Sequence, residues 1–258
     1  MKNLISELWE KRSLILLLSF NEVKLRYKNS LLGFLWSFLE PLLLLGVLYF
    51  IFVNIFQNSI PNYPLYLLLG LIIWYTFSRG TSMGLSSLID RSGILKTIYF
   101  RREIVVLSTT LTSAIMFCFE FASFLVFLVI FQFTPPVTML LLPLLIIDLL
   151  FLILGVSMIL SVLYVYFRDI KFIWQVALQA GFFASPIFYT IDMLPEPLRN
   201  LMLLNPMSPI LITAQNIVLY GTLPTVNTLI FLLVFPISIL LVGLKLFDMK
   251  SKRIVEKF

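Results

Sequence analysis

Histidine is absent from this 258-residue chain, which excludes serine–histidine and cysteine–histidine nucleophile pairs, histidine-rich zinc sites and imidazole proton relays. Cysteine occurs once, at Cys118, so neither an internal disulfide nor a cysteine metal cluster can form. That residue lies in an apolar run and reads as a small packed hydrophobe. Charge is scarce as well. Only 12% of the residues are charged, where soluble domains carry about a quarter, and this excludes a soluble globular fold. The few carboxylates are not clustered, which leaves little for acid–base work and weighs against an integral-membrane enzyme. Residues 31–133 and 137–247 show no repeat of one another, as the halves of a secondary transporter usually do.

What remains is hydrocarbon. The chain is 60% hydrophobic, contains 25 Phe and has a mean hydropathy of +1.02. A bilayer-crossing helix needs about 20 predominantly apolar residues, and six stretches qualify, at 31–56, 63–85, 104–133, 137–167, 172–189 and 226–247. Four of them hold one internal charge, Glu40, Arg79, Glu120 and Asp148 in turn, and the last carries Lys245 at its inner end, where it can snorkel. The expected fold is a single all-α integral membrane domain, 1–258, with six transmembrane helices. Residues 1–28 hold charges throughout and lack a clean apolar segment before a small-residue cleavage site. They read as an N-terminal interfacial helix with Leu4, Leu8, Ile15, Phe20, Val23 and Tyr27 near one face, or as a basic tail.

Positive charge sets the orientation. Lys and Arg concentrate before the first span, in segment 86–103, at Arg168 and Lys171, and in the tail 248–258, while 54–62 and 132–136 have none and 190–225 has only Arg199. Both termini are therefore expected in the cytoplasm. The net charge of +6 reports membrane topology, and no nucleic-acid partner is expected.

Two connections stand out. The external segment 190–225 and the residues just before it carry prolines at 186, 195, 197, 206, 209 and 224 between short apolar stretches. Such stretches are too short to span and too apolar for a solvated loop, so they read as short re-entrant helices facing a cavity or gate, or as a packed external cap. The cytoplasmic segment SSLIDRSGILKTIYFRRE, 86–103, is broken by Gly93. After it, Ile94, Leu95, Ile98 and Tyr99 can share one face of a short helix with Lys96, Arg101 and Arg102 elsewhere, suited to lipid headgroups or to a groove on a soluble partner.

Three pieces of the chain resemble one known family. LRYKNSLLGFLWSFLEP (25–41), YFRDI (166–170) and SPIFYTIDMLPEPLRNLMLLNP (185–206) are similar to the first-span entrance, inner loop and outer gate of permease subunits of type-two ABC exporters for polysaccharides and polyol phosphates. The sequence departs from the usual pattern in having Arg101 after Phe100, and Gln215 and Asn216 in the stretch after Asn205 and Pro206. The resemblance implies a homodimer of six-span subunits in the inner membrane, working with two copies of a separate P-loop ATP-binding subunit. Membrane lipid and a lipid-linked glycan such as O-antigen, capsule or teichoic acid would be its other partners. The sequence has no G-x-x-x-x-G-K-[ST] loop of its own. No resident cofactor or metal is expected, ATP and magnesium belonging to the partner.

The resemblance also assigns candidate positions. ATPase docking falls on Gly93, Ile94, Lys96, Thr97, Ile98, Tyr99, Phe100, Arg101 and Arg102. The cytoplasmic mouth takes Arg26, Tyr27, Lys28, Arg168 and Asp169, and the external gate takes Ser185, Pro186, Pro195, Leu203, Asn205 and Pro206. Channel-lining candidates are Trp36, Tyr49, Trp74, Tyr75 and Tyr189, whose rings combine an apolar face with a polar edge, and Glu120, whose depth makes its charge costly. Glu40, beside Pro41, fits a cavity or a hydrogen-bonded kink equally well. No residue is expected to be catalytic. An ABC-type permease for a small amphiphile or drug is the competing reading.

Overall fold

Apolar residues at helical spacing and short polar connections leave this chain only one way to satisfy its backbone in hydrocarbon, by helices that bond to themselves. The computed structural model describes residues 9–28, 30, 32–54, 60–93 and 101–254, and among these every regular element is helical. In chain order they are α1 (Arg12–Tyr27), α2 (Trp36–Asn54), α3 (Tyr63–Asp90), α4 (Glu103–Ile130), α5 (Leu142–Tyr166), α6 (Ile170–Phe183), α7 (Glu196–Leu203), α8 (Met207–Gln215, prolonged by a π-helical turn Asn216–Tyr220) and α9 (Val226–Ile254).

Among the described residues, three helices are long and apolar enough to cross a membrane by themselves, Glu103–Ile130, Val137–Tyr166 and Val226–Lys250. The central α3 has 28 residues and is buried around nearly its whole circumference, which lets it carry Arg79 and a run of Ser, Thr and Gly away from lipid. α2 contains Pro41. The helix expected at 172–189 is shorter than that: α6 has 14 residues, ends at Phe183 and is roughly 21 Å long, so a crossing of the ~30 Å hydrocarbon core here would include the irregular backbone that follows it. Ser185 and Pro186 follow at once, and proline holds the residue before it away from the helical region. The second expected span also runs beyond 85, to Asp90.

Close helix contacts rest on small residues, as packing between apolar helices in lipid requires. A Cβ on Gly155 would lie 2.6 Å from the backbone nitrogen of Leu240, and one on Gly243 would lie 2.7 Å from the Gly155 carbonyl oxygen. These two glycines let α5 and α9 touch backbone to backbone. Gly84 similarly admits Ser157, bringing α3 against α5.

α1 does more than lie along an interface. Ile15, Ser19 and Val23 form its buried stripe, whereas Phe20, expected on that face, is exposed. Ser19 Oγ donates to the Ser108 carbonyl at 2.9 Å, Thr112 Oγ1 donates to the Ser19 carbonyl at 3.3 Å, and Glu22 pairs with Arg91. The helix is thereby tied to α4 and to the end of α3. Residues 1–8 of the expected interfacial helix lie outside the described residues.

Candidate functional site

Three of the spans' internal charges meet, at the guanidinium of Arg79. Arg79 of α3 donates to a carboxylate oxygen of Glu120 on α4, and it also lies 3.8 Å from Glu40 on α2. Arg79 and Glu120 are buried, and the Glu40 side chain is 47% exposed. Losing one partner of a buried ion pair strands the other's charge, so the Arg79–Glu120 contact ties α3 to α4, while the more exposed Glu40 contact adds α2 only weakly. The other oxygen of Glu120 is buried without a hydrogen-bond partner. Glu120 therefore faces Arg79 inside the protomer and does not reach an open surface, contrary to the expected lining role. Trp74 is corrected likewise. It is buried, with its ring 2.9 Å from where a Gly181 Cβ would stand and edge-on to Phe182, and so fixes the short α6 to α3.

Surface does remain on α2 and α6. Trp36, Glu40, Leu43, Val47 and Phe50 recur at helical spacing and are all exposed, giving α2 one unpartnered stripe. Most of it lines an open groove of about 590 Å³ whose polar groups are Arg26, Ser30, Trp36 and Glu40. Tyr49 is exposed, while Tyr75 and Tyr189 are half-buried. On α6 only Leu178 is buried. Gln175 and Gln179, one turn apart, are exposed. Sequence reading passed over these two because the stretch carries no charge, yet an amide pair on one helix face inside an otherwise apolar span is the available signal.

Of the residues expected at the external gate, Ser185, Pro186 and Asn205 meet around the break after α6. Here the backbone is irregular, and side chains satisfy its buried carbonyls. Tyr63 donates to the Phe188 carbonyl at 3.0 Å, and Tyr66 donates to the carbonyls of Tyr189 at 2.8 Å and Pro186 at 3.2 Å. Gln215 Nε2 adds a bond of 3.1 Å to Pro186. Asn205 Nδ2 donates to Ser185 Oγ at 2.8 Å, and its Oδ1 accepts from the Met207 backbone N–H, joining the break to the start of α8. Pro186 is buried, Asn205 and Pro206 are half-buried, and Pro195 and Leu203 are exposed. Residues 196–203 and 207–220 form a helix pair bent by 102°. Tyr63, Tyr66 and Gln215, which hold the carbonyls of 186–189, are supports that the sequence reading did not assign.

At the other end, Arg168 and Asp169 sit exposed in the turn between α5 and α6, with the Arg168 guanidinium 5.3 Å from the Tyr164 ring. Arg26 and Lys28 are exposed at the end of α1, where Tyr27 is the last helical residue. Of the expected docking segment, Gly93 is exposed, Arg101 pairs with Glu103 at 3.1 Å and Arg102 precedes α4. Ile94, Lys96, Thr97, Ile98, Tyr99 and Phe100 lie outside the described residues.

Comparison with known proteins follows the same outline. A family model described as ABC-2 type transporter matches residues 13–219. An O-antigen export system permease protein RfbA of Klebsiella pneumoniae is 31% identical over 244 residues, 94% of each chain. RfbA of Myxococcus xanthus is 31% identical over 258 residues, 99% of each chain. The polysialic acid transport protein KpsM of Escherichia coli is 23% identical over 245 residues, covering 91% of this chain and 92% of its own.

Proposed function

This chain belongs to the ABC-2 type transporter family, and from that premise we infer how it works as a polysaccharide-export permease. It is an all-helical integral membrane transport subunit, and its cargo class is that of its relatives, an O-antigen-like or capsule-like polymer. Export of a small amphiphile or drug is the weaker reading, because the relatives named are polysaccharide exporters.

The finer reading is a homodimer of six-span protomers in the inner membrane, with both termini in the cytoplasm. Two copies of a separate ATP-binding subunit engage residues 93–102. α2 and α6 of each protomer face their counterparts across the two-fold axis, and the lipid-linked glycan passes between them from the mouth at Arg26, Lys28, Arg168 and Asp169 to the gate at 185–206. The helices 196–203 and 207–220 dip back into the outer leaflet as a re-entrant pair and cap the exit.

One observation carries this placement. Gln175 and Gln179 are exposed on the protomer, and polar side chains in a membrane turn toward protein or water and away from lipid. The groove beside Glu40 and Trp36 supplies a matching polar, aromatic surface on α2, suited to sugar hydroxyls and C–H faces.

The test places a single cysteine at Gln179 in a Cys118→Ala background. Oxidation should yield a disulfide-linked dimer, and a small thiol reagent at this position should stop glycan export while the ATPase subunit still binds. A cysteine at Val234, exposed on α9, should do neither. Normal export after complete modification at 179 would contradict the placement.

A further inference from the structure

Another cavity lies apart from the seam, beneath the end of the capping helix pair. It is a crevice of about 420 Å³ between α5 and α9, closed above by Leu223, Pro224 and the end of α8. Its walls are almost wholly hydrocarbon, and Leu144, Leu229 and Leu233 along its mouth are exposed, so it opens sideways. Inside stands Asp148, 8% exposed. It is the one ionisable residue lining the crevice, and its Oδ2 is buried with no hydrogen-bond partner.

An acidic oxygen left unpaired in an apolar cavity is costly, and no basic side chain lines this one to form a pair. Sequence economy would place Leu here. The missing partner must come from whatever fills the crevice, and that occupant must be mainly hydrocarbon with a polar group at one depth. Asp148 is six residues into α5, or roughly 9 Å along its axis. Counted from the other end, it lies 18 residues before Tyr166, roughly 27 Å, so in the orientation proposed above it falls near the outer edge of a ~30 Å hydrocarbon core, where the ester groups of glycerolipids meet their chains.

We propose that the crevice between α5 and α9 is a binding site for one outer-leaflet glycerolipid, whose acyl chain fills the apolar walls and whose ester carbonyl accepts a hydrogen bond from the Asp148 carboxyl. The site is independent of the glycan route and holds a resident lipid against the two helices that carry the gate segment between them. Choice of an ester over other lipid groups follows from the absence of any counter-charge. Hydrogen bonding to a lipid acceptor is what is left to this carboxyl, and at this depth the ester supplies one.

The test uses the full chain in detergent micelles and counts retained lipids by native mass spectrometry. The probes are a diacyl phosphatidylcholine and its dialkyl ether analogue, which match in headgroup and chains and differ in the carbonyls. The wild-type chain should retain one diacyl lipid per protomer and favour it over the ether by about fivefold, the worth of one neutral hydrogen bond. Asp148→Asn keeps an N–H donor and should keep the preference, Asp148→Leu should abolish it, and Leu233→Trp should fill the crevice and remove the retained lipid. Equal retention of the two lipids by the wild-type chain, or a preference that survives Asp148→Leu, would overturn the proposal. So would a wild-type chain that retains no lipid while a cysteine at Leu233 is shielded from thiol reagents, which would give the crevice to a protein surface.

Discussion

Arg79 on α3 and Glu120 on α4 form an ion pair with both side chains buried, 7% and 0% exposed. Glu40 on α2 is a second, nearly half-exposed carboxylate 3.8 Å from the same guanidinium. The two contacts differ in environment, and their removal should differ in consequence.

Glu120→Leu strands a buried guanidinium and should destabilise the protein by about 3–5 kcal/mol. Glu40→Gln touches a longer, more exposed contact and should stay within about 1 kcal/mol. Thermal unfolding in detergent distinguishes them. Equal losses for the two variants would show that the pairs are equivalent.

The α5–α9 crossing offers a steric prediction. A methyl on Gly155 meets the Leu240 backbone at 2.6 Å and cannot be absorbed by a side-chain rotation, so Gly155→Ala should cost about 1–3 kcal/mol as an overpacked site. Gly46 on α2 has nothing within 4 Å of the same added atom, and Gly46→Ala should be neutral or slightly stabilising, by up to about 1 kcal/mol. The same unfolding measurement reads both.

The gate network predicts a leak. Pro186 accepts from Tyr66 and Gln215, so Tyr66→Phe combined with Gln215→Leu leaves its carbonyl bare in a buried setting, at about 1–3 kcal/mol. The double variant should raise basal ion permeability in reconstituted vesicles and make a cysteine at Ser185 reactive from outside. Leu203→Gly with Pro206→Ala, which loosens the helix pair itself, should leak in the same assay. Tight vesicles and an unreactive cysteine would assign the segment to a static cap.

Topology is testable with thiols. In a Cys118→Ala background, single cysteines at Asn58 and Asn200 should react with an impermeant reagent on intact cells, and one at Ser92 should not. Labelling at Ser92 would reverse the orientation drawn from the Lys and Arg distribution.

The parts of this architecture that long-range composition controls were legible in the sequence. Apolar length located α3, α4, α5 and α9, and the proline spacing after Ser185 announced broken helices. Partnering was not legible, because hydropathy averages over a helix circumference. Glu120 and Trp74 looked like lining groups from depth and chemistry, but Arg79 and Gly181, distant in sequence, take them up. The register of α1 turned on Ser19, a polar residue that no apolar count includes, whose hydroxyl finds the Ser108 carbonyl 89 residues away. Gln175 and Gln179 were visible as letters but carried no charge to attract notice.

The central claim, that a glycan passes along α2 and α6 at a dimer seam, is tested most directly by cross-linking during export. A photoreactive residue is placed at Gln179 on α6 and, in a separate chain, at Val234 on α9, and cells exporting labelled polysaccharide are irradiated. The account predicts glycan attached to the chain at 179 and not at 234, with attachment at 179 lost when the ATPase subunit is omitted. Glycan captured at 234 and absent at 179 would contradict it.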